Sequence, residues 1–238
     1  MTIDLNTKVG DLVLTMPQAM RYLETQGVDY CCGGHRSLRE ACEVAGRSPA
    51  DILAALEALD APAAGAPSPQ VWMEAPLADL LDHIVTTHHD YLRTELPRLD
   101  TLLEKVLRAH GERHPELDEI FDIYQALSMD LMPHLMKEEQ ILFPFIRRME
   151  AGQAPEACFA SVQSPIRVME SEHEAVGGLL VRLRACTGEY TAPADGCATF
   201  RALYDGFKTL EEDLHLHIYL ENQILHPRAK DMEAALQA

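Results

Sequence analysis

The feature that most constrains this chain is a His-x-x-x-Glu pattern that occurs twice, 83 residues apart. The first copy, at residues 134–144, reads HLMKEEQILFP, and the second, at residues 217–227, reads HIYLENQILHP. Six positions are identical: the His, Glu, Gln, Ile, Leu and Pro. Because residues i and i+4 lie one above the other on a helix, each copy places an imidazole and a carboxylate on one face.

Both copies belong to long segments whose apolar residues recur with helical spacing, and no strand-like alternation competes with this pattern. Four such segments are predicted, at 76–109, 115–150, 163–187 and 197–230. Three prolines should kink or end these helices locally: Pro97, Pro133 and Pro144. Four long helices with short connections predict an all-α, up-down-up-down four-helix bundle.

If the bundle consists of two related halves, the first and third helices should also match each other. His89 and His173 are 84 residues apart, and each is followed by Arg-Leu nine and ten positions later. This match selects His89 over its neighbours His83 and His88. The predicted ligands are therefore His89, His134, Glu138, His173, His217 and Glu221.

Four imidazoles and two carboxylates facing one bundle axis predict a centre of two metals, each held by two histidines and bridged by Glu138 and Glu221. This mixture favours iron or manganese over metals that prefer thiolates, and zinc stays open. A single His-x-x-x-Glu is more often an ordinary polar pair on an exposed face. The repeat and its apolar neighbours, such as Ile141 and Ile224, argue against that alternative. Apolar neighbours indicate burial, and burying a charged side chain without a partner costs free energy.

The remaining polar residues near the motifs are assigned weaker roles. Four further histidines are expected on the surface or around the ligands, not among them: His83, His88, His215 and His226. Three acidic residues could orient ligand imidazoles from outside: Asp130, Glu170 and Glu172.

Composition narrows the function classes. The chain carries 38 Asp and Glu against 20 Lys and Arg, a net charge of −18, so a nucleic-acid backbone would be repelled. No secretory leader and no membrane-length apolar run are evident, which predicts a cytoplasmic protein without a membrane partner. The six cysteines show no disulfide framework, which fits a reducing compartment.

A proline-rich run, DAPAAGAPSPQ at residues 60–70, predicts a linker. We assign residues 1–60 to a small helical domain, 61–71 to the linker and 72–238 to the bundle. Helix start and stop residues predict three short helices in the small domain: one between Thr15 and Gly27, one from Ser37 to Ala45, and one from Ser48 to Leu59.

The small domain contains the vicinal pair Cys31-Cys32. Two adjacent cysteines can simply be small buried apolar residues. The favoured hypothesis is a functional thiol pair that binds iron, nitric oxide or a partner, because two glycines follow that could adopt positive φ, a helix N-terminus should come next, and His35 and Arg36 supply positive charge that favours thiolate.

Together these motifs resemble the di-iron Repair of Iron Centres family, which joins a short Cys-Cys domain to a hemerythrin-like bundle. The resemblance covers nearly the whole chain and rests on VDYCCGG at 28–34, MKEEQILFP at 136–144, VMESEH at 168–173 and HIYLEN at 217–222. It implies repair of iron–sulfur clusters damaged by nitrosative or oxidative stress, a cytoplasmic address and the same six ligands. One departure is His226, which stands where the first repeat has Phe143.

The sequence alone leaves three functions open. The bundle could hold two iron ions, joined by an oxo bridge, and donate iron to damaged iron–sulfur proteins as a non-catalytic repair factor. It could instead be an enzyme that reduces nitric oxide or dioxygen, or a module that binds such gases. The appended thiols favour repair over simple gas binding, no residue is assigned as catalytic, and a homodimer is one assembly compatible with the sequence.

Overall fold

A computed structural model of the chain describes residues 3–59, 68–153 and 161–237. They divide into two compact units, Met1–Leu80 with Ile218–Ala238, and Leu81–His217. Within the described residues, the regular structure is helical, and the only β-type pairing is an isolated bridge between Lys8 and Ser37. The prediction of an all-α fold is confirmed.

The unit Leu81–His217 is built from the four long predicted helical segments. The first comprises α5 (Leu77–Ile84), a π-helical turn (Val85–His89) and α6 (Asp90–His110); the second comprises α7 (Glu116–Lys137), a π-helical turn (Glu138–Leu142) and α8 (Phe143–Glu150); α9 is Gln163–Cys186 and α10 is Ala198–Tyr219. The chain remains helical through Pro97 and Pro133, so neither proline ends its helix.

The core of this unit follows from helical spacing of apolar residues. On α6, Leu92, Leu96, Leu99 and Leu103 recur every three or four residues, and all are at most 3% exposed. Tyr124 of α7 is fully buried, and its hydroxyl donates a 2.6 Å hydrogen bond to the carbonyl of Leu96. The packed leucines keep water away from the polar residues in the same helices.

Three π-helical turns were not predicted from the sequence. They span Val85–His89, Glu138–Leu142 and Leu220–Leu225. Each contains one predicted ligand, namely His89, Glu138 or Glu221. Such wider turns commonly occur at functional sites, because an inserted residue re-aims the side chains around it.

The other unit contains short helices and the end of the chain. Its elements are α1 (Val9–Thr15), α2 (Ala19–Gln26), α3 (Leu38–Val44), α4 (Pro49–Glu57), a 3₁₀ turn (Pro69–Met73), a π-helical turn (Leu220–Leu225) and α11 (His226–Gln237). The three predicted short helices are present: Gly27 ends α2 with φ 68°, while Ser37 and Ser48 cap α3 and α4. Helix α1 was missed because it has seven residues and its N-cap, Lys8, makes no side-chain capping bond.

Most of the predicted linker 61–71 lies outside the described residues, as does Cys158, so the domain boundaries stay a prediction. In the described part of the chain, no helix is long and apolar enough to cross a membrane.

Candidate metal centre

Five of the six predicted ligands lie in the unit Leu81–His217, and each is at most 3% exposed. The Nε2 atom of His89 lies 3.3 Å from Glu138 Oε2 and 3.3 Å from His217 Nε2. On the other side of the carboxylate, His134 Nε2 lies 3.2 Å from Glu138 Oε1 and 3.1 Å from His173 Nε2. The structure therefore brings together two pairs of imidazoles that share Glu138.

Glu221, the sixth predicted ligand, is fully buried in a π-helical turn that directly continues α10. It follows His217 by four residues on an unbroken helix, so its carboxylate leaves the helix on the side that His217 uses. This is the local arrangement that the His-x-x-x-Glu motif predicts.

Two acidic residues contact the imidazoles of predicted ligands from outside the cluster. Glu139 Oε1 lies 2.7 Å from His89 Nδ1 and also pairs with Arg93. Burial raises the pKa of the Glu139 carboxyl, but the hydrogen bonds from His89 and Arg93 outweigh it and leave the pKa below its ordinary value. Sequence reasoning missed Glu139, although its position directly after Glu138 on a helix near His89 was a usable signal.

Glu172 plays the same part for the second imidazole pair. Its Oε2 lies 2.9 Å from His134 Nδ1, and its other oxygen pairs with Lys137. The pKa of the Glu172 carboxyl is also lowered: burial opposes ionisation, but the hydrogen bonds from Lys137 and His134 prevail. Glu172 was among the predicted orienting residues, whereas Asp130, another of them, is exposed.

These outer contacts bear on whether the residues fit a metal. Because a carboxylate accepts a hydrogen bond from Nδ1–H in each case, the ring proton stays on Nδ1 and the lone pair of His89 and of His134 lies on Nε2. Each of these lone pairs then lies 3.2–3.3 Å from an oxygen of Glu138, which is also an acceptor. A cation among these donors removes the repulsion. Buried imidazoles with carboxylate are a donor set that iron accepts, so the residues fit such a metal site.

Two of the other histidines are more buried than the sequence suggested. His88 is 1% exposed, its Nδ1 lies 2.9 Å from Asp213 Oδ1, and its ring stacks on His217 at 5.3 Å. His226 is fully buried. The surface alternative is therefore wrong for both, while His83 and His215 are half-buried.

The cause for His226 is the π-helical turn before it. On a regular helix the nine residues from His217 rotate the side chain to the opposite face. The wider turn advances each residue by roughly 80° instead of 100°, which brings His226 back towards the interior.

The thiol pair lies in the other unit, in a turn organised by Asp29. Its Oδ1 accepts the backbone N–H groups of Cys31 at 3.1 Å and Cys32 at 2.9 Å, and its Oδ2 accepts that of Gly33 at 2.8 Å. Cys31 is buried and Cys32 is half-buried. Asp29, Cys31 and Cys32 form a second kind of cluster, with possible ligand atoms within 4.8 Å of one another.

The surroundings of Cys31 disfavour the thiolate that the sequence predicted. Hydrogen bonding to Cys32, burial and the charge of Asp29 raise the pKa of the Cys31 thiol well above its ordinary value. Arg36 lies 3.9 Å from Asp29, so its charge is shared with that carboxylate. Helix α3 begins only at Leu38, too far along the chain for its first turn to assist.

The two glycines after the thiols were predicted to allow positive φ, but the structure requires glycine for a different reason. Neither Gly33 nor Gly34 has a positive φ. A Cβ on Gly34 would instead lie 2.5 Å from the amide of Gln223. The glycine leaves room for Gln223, whose Nε2 donates a 2.8 Å hydrogen bond to the carbonyl of Cys31. Glycine is needed here for close approach.

Residues 80–229 match the family described as Hemerythrin HHE cation binding domain. Residues 5–60 match ScdA_N, described as a domain of unknown function. The chain is 38% identical over 221 residues to the Iron-sulfur cluster repair protein YtfE of Citrobacter koseri, which covers 93% of this chain and 95% of the relative. The proteins of the same name from Escherichia coli O81, at 39%, and Shigella boydii, at 38%, have the same coverage.

The family suggested by the Cys-Cys motif and the histidine repeat is confirmed by these matches, which extend over nearly the whole chain. This protein belongs to the hemerythrin-containing family of iron–sulfur cluster repair proteins.

Proposed function

We propose that this chain is a di-iron protein that repairs iron–sulfur clusters damaged by nitrosative and oxidative stress, by holding iron in its bundle and donating it. The observation that carries the proposal is that two buried pairs of imidazoles share the carboxylate of Glu138. Relatives named for cluster repair, similar over nearly their whole length, support the same conclusion.

In this proposal, each imidazole pair would hold one iron ion, and the carboxylates of Glu138 and Glu221 would be shared between the two ions. The support for Glu221 is its complete burial, its position one turn after His217 and its place in the 83-residue repeat. The proposed ligands are His89, His134, Glu138, His173, His217 and Glu221.

Two iron ions bound there would supply redox chemistry and coordination positions open to small ligands. The chain's own residues keep the site ready for them. Glu139 and Glu172 hold the Nδ1 protons and thereby keep the Nε2 lone pairs directed inward. The ring of Phe143 packs on His89 at 5.7 Å and helps to exclude water.

We further propose that the thiol turn engages the damaged iron–sulfur protein. Cys32 is the more exposed thiol, whereas Cys31 is buried and has a raised pKa, so Cys32 is the group that can meet a partner. Nitric oxide and dioxygen are the small ligands that the open positions would admit. The proposed address remains the cytoplasm.

The test is an anaerobic assay with the iron-loaded protein. Iron per chain is counted, and the protein is added to an iron–sulfur dehydratase that nitric oxide has inactivated, while nitrous oxide is monitored. Reactivation of the dehydratase without nitrous oxide is expected. Catalytic release of nitrous oxide without reactivation would instead identify a gas-reducing enzyme.

The same assay tests whether the bundle ligands hold the iron while the thiol pair acts only in repair. Cys31→Ser together with Cys32→Ser should leave the iron content unchanged, because the six proposed ligands include no sulfur, yet reactivation should fall several-fold. Equal reactivation by the double variant at equal iron loading would remove the thiols from the proposal.

A further inference from the structure

A third cysteine, Cys197, belongs neither to the proposed metal ligands nor to the thiol turn. Cys197 is exposed and directly precedes α10 in the unit Leu81–His217. Its Sγ lies 3.3 Å from Nε2 of His110, the last residue of α6. His110 is only 6% exposed, and among the described residues its Nδ1 has no hydrogen-bond partner. A buried imidazole is thus aimed at an accessible sulfur.

The start of α10 adds to the effect of His110. The backbone N–H of Phe200 donates to the Cys197 sulfur, and Thr199 contributes further hydrogen bonds. These groups belong to the first turn of a 22-residue helix, whose unsatisfied amides favour negative charge. The hydrogen bond from Phe200, followed by that from His110, lowers the pKa of the Cys197 thiol to about 7, although desolvation opposes this change.

The other charged groups in this region compensate one another. Asp195 lies 3.1 Å from His114 Nε2 and 3.4 Å from Arg113, so its negative charge is paired. Glu116 lies 2.9 Å from His114 Nδ1. The local carboxylates are therefore occupied by cationic or hydrogen-bonding partners and oppose a thiolate at Cys197 less than free carboxylates would.

We propose that Cys197 is a modification site that forms mixed disulfides with small disulfides, and that His110 positions and stabilises its thiolate. The thiol proton goes to water, and His110 Nε2–H donates to the sulfur. The thiolate attacks one sulfur of the small disulfide, a new S–S bond forms, and the old one breaks. The departing thiolate takes a proton from water. Cys197 is oxidised, the released thiol is reduced, and no further oxidant is needed.

Reaction of the full-length, iron-loaded protein with limiting dipyridyl disulfide tests the proposal, with peptide mass spectrometry to locate the label. Cys186 is the internal comparison: it is half-buried, and burial and Glu119 raise the pKa of its thiol. A thiol pKa near 7 instead of 9 gives roughly fifty-fold more thiolate at neutral pH, and lower nucleophilicity offsets roughly tenfold of that. Cys197 should therefore react at least about fivefold faster than Cys186.

A matched pair of variants tests the role of His110. His110 and His114 both pack against the ring of Phe200, at 5.3 and 5.4 Å, but only His110 contacts the sulfur. His110→Phe should slow labelling of Cys197 several-fold and move the midpoint of its pH–rate profile upwards. His114→Gln should keep the rate within about twofold, because it leaves the Sγ contact intact and retains an N–H donor for Asp195.

Two outcomes would overturn the proposal. One is equal labelling of Cys197 and Cys186 in the parent protein, which decides the matter even if His110→Phe fails to fold. The other is a folded His110→Phe variant, checked by circular dichroism, whose rate and pH midpoint match those of the parent.

Discussion

The bundle cluster consists of the six proposed metal ligands, and the thiol turn contains Asp29, Cys31 and Cys32. Both gather potential metal ligands, but the side chains are held in place in different ways. In the bundle, the proposed ligands come from separate helices, and Glu139 and Glu172 contact the Nδ1 atoms of His89 and His134 from outside. In the turn, Asp29 uses both of its oxygens to accept backbone N–H groups within four residues. One cluster depends on tertiary packing, whereas the other is a local loop.

This difference indicates which cluster can retain a metal. The bundle donors are buried and directed towards each other, so removing a cation leaves repelling lone pairs in a low-dielectric site. The carboxylate of the turn is already satisfied by the backbone, and the pKa of the Cys31 thiol is raised. We therefore expect firm metal binding in the bundle and, at most, transient contact at the thiols.

The strongest test of this comparison removes a bundle ligand. His217→Ala or Glu221→Ala should lower the metal content from two ions per chain to about one or fewer, because each residue is proposed to hold or bridge the ions. Metal analysis by mass spectrometry measures the loss.

His215→Ala is the control for that test, since His215 is half-buried two residues before His217 and is not a proposed ligand. His226→Ala is unsuitable because His226 is fully buried, so its loss would leave a cavity. Metal retained in His217→Ala but lost from His215→Ala would contradict the assignment.

Metal removal should produce the next largest effect. A ligand that binds only the folded state, present at a hundred times its dissociation constant, adds about 2.7 kcal/mol to the free energy of unfolding. For a chain of this size, the melting temperature of the metal-free protein should be lower by about 5–10 °C. Calorimetry with and without iron measures the shift, and equal melting temperatures would show that the bundle cluster is no better a metal site than the turn.

A smaller effect is expected from the outer carboxylates. Glu172→Gln keeps the shape of the side chain but replaces the carboxylate that faces His134 Nδ1, so metal affinity should fall about tenfold. Glu174→Gln is the matched control, because Glu174 flanks His173 on the exposed side of the same helix. Competition with a chelator measures both affinities; equal losses would mean that general surface charge, not orientation of His134, controls binding.

The helices and the proposed ligands could be predicted from the sequence, but the π-helical turns could not. The proposed ligands could be selected from the sequence because helical geometry converts a four-residue spacing into a shared face, and the match between the segments that follow His89 and His173, 84 residues apart, distinguishes His89 from His88. The helices were predictable from the same periodicity. The π-helical turns were not, since they change the rotation per residue without a compositional signal, and the burial of His226 depends on one of them.

The surroundings of the thiols were also beyond sequence reasoning. Hydrogen bonding to Cys32, burial and the charge of Asp29 raise the pKa of Cys31, whereas the sequence displayed only the cations that follow. The contact between Gln223 and the Cys31 carbonyl joins residues 192 positions apart, and no local pattern specifies it.

The smallest predicted effect concerns Gln223 and compares the two copies of the repeat directly. Gln223 and Gln140 are equivalent in the 83-residue repeat, but Gln140 is exposed, while Gln223 is half-buried and donates a 2.8 Å hydrogen bond to the carbonyl of Cys31. Gln223→Ala removes that donor, which should cost about 1 kcal/mol and lower the melting temperature by about 2–4 °C. Gln140→Ala should leave the melting temperature unchanged. Because loosening the turn exposes its sulfur atoms, alkylation of Cys32 should also accelerate in Gln223→Ala alone. If both variants alkylate and melt like the parent, the glutamine contact does not hold the thiol turn in place, and Asp29 alone must be sufficient to fix it.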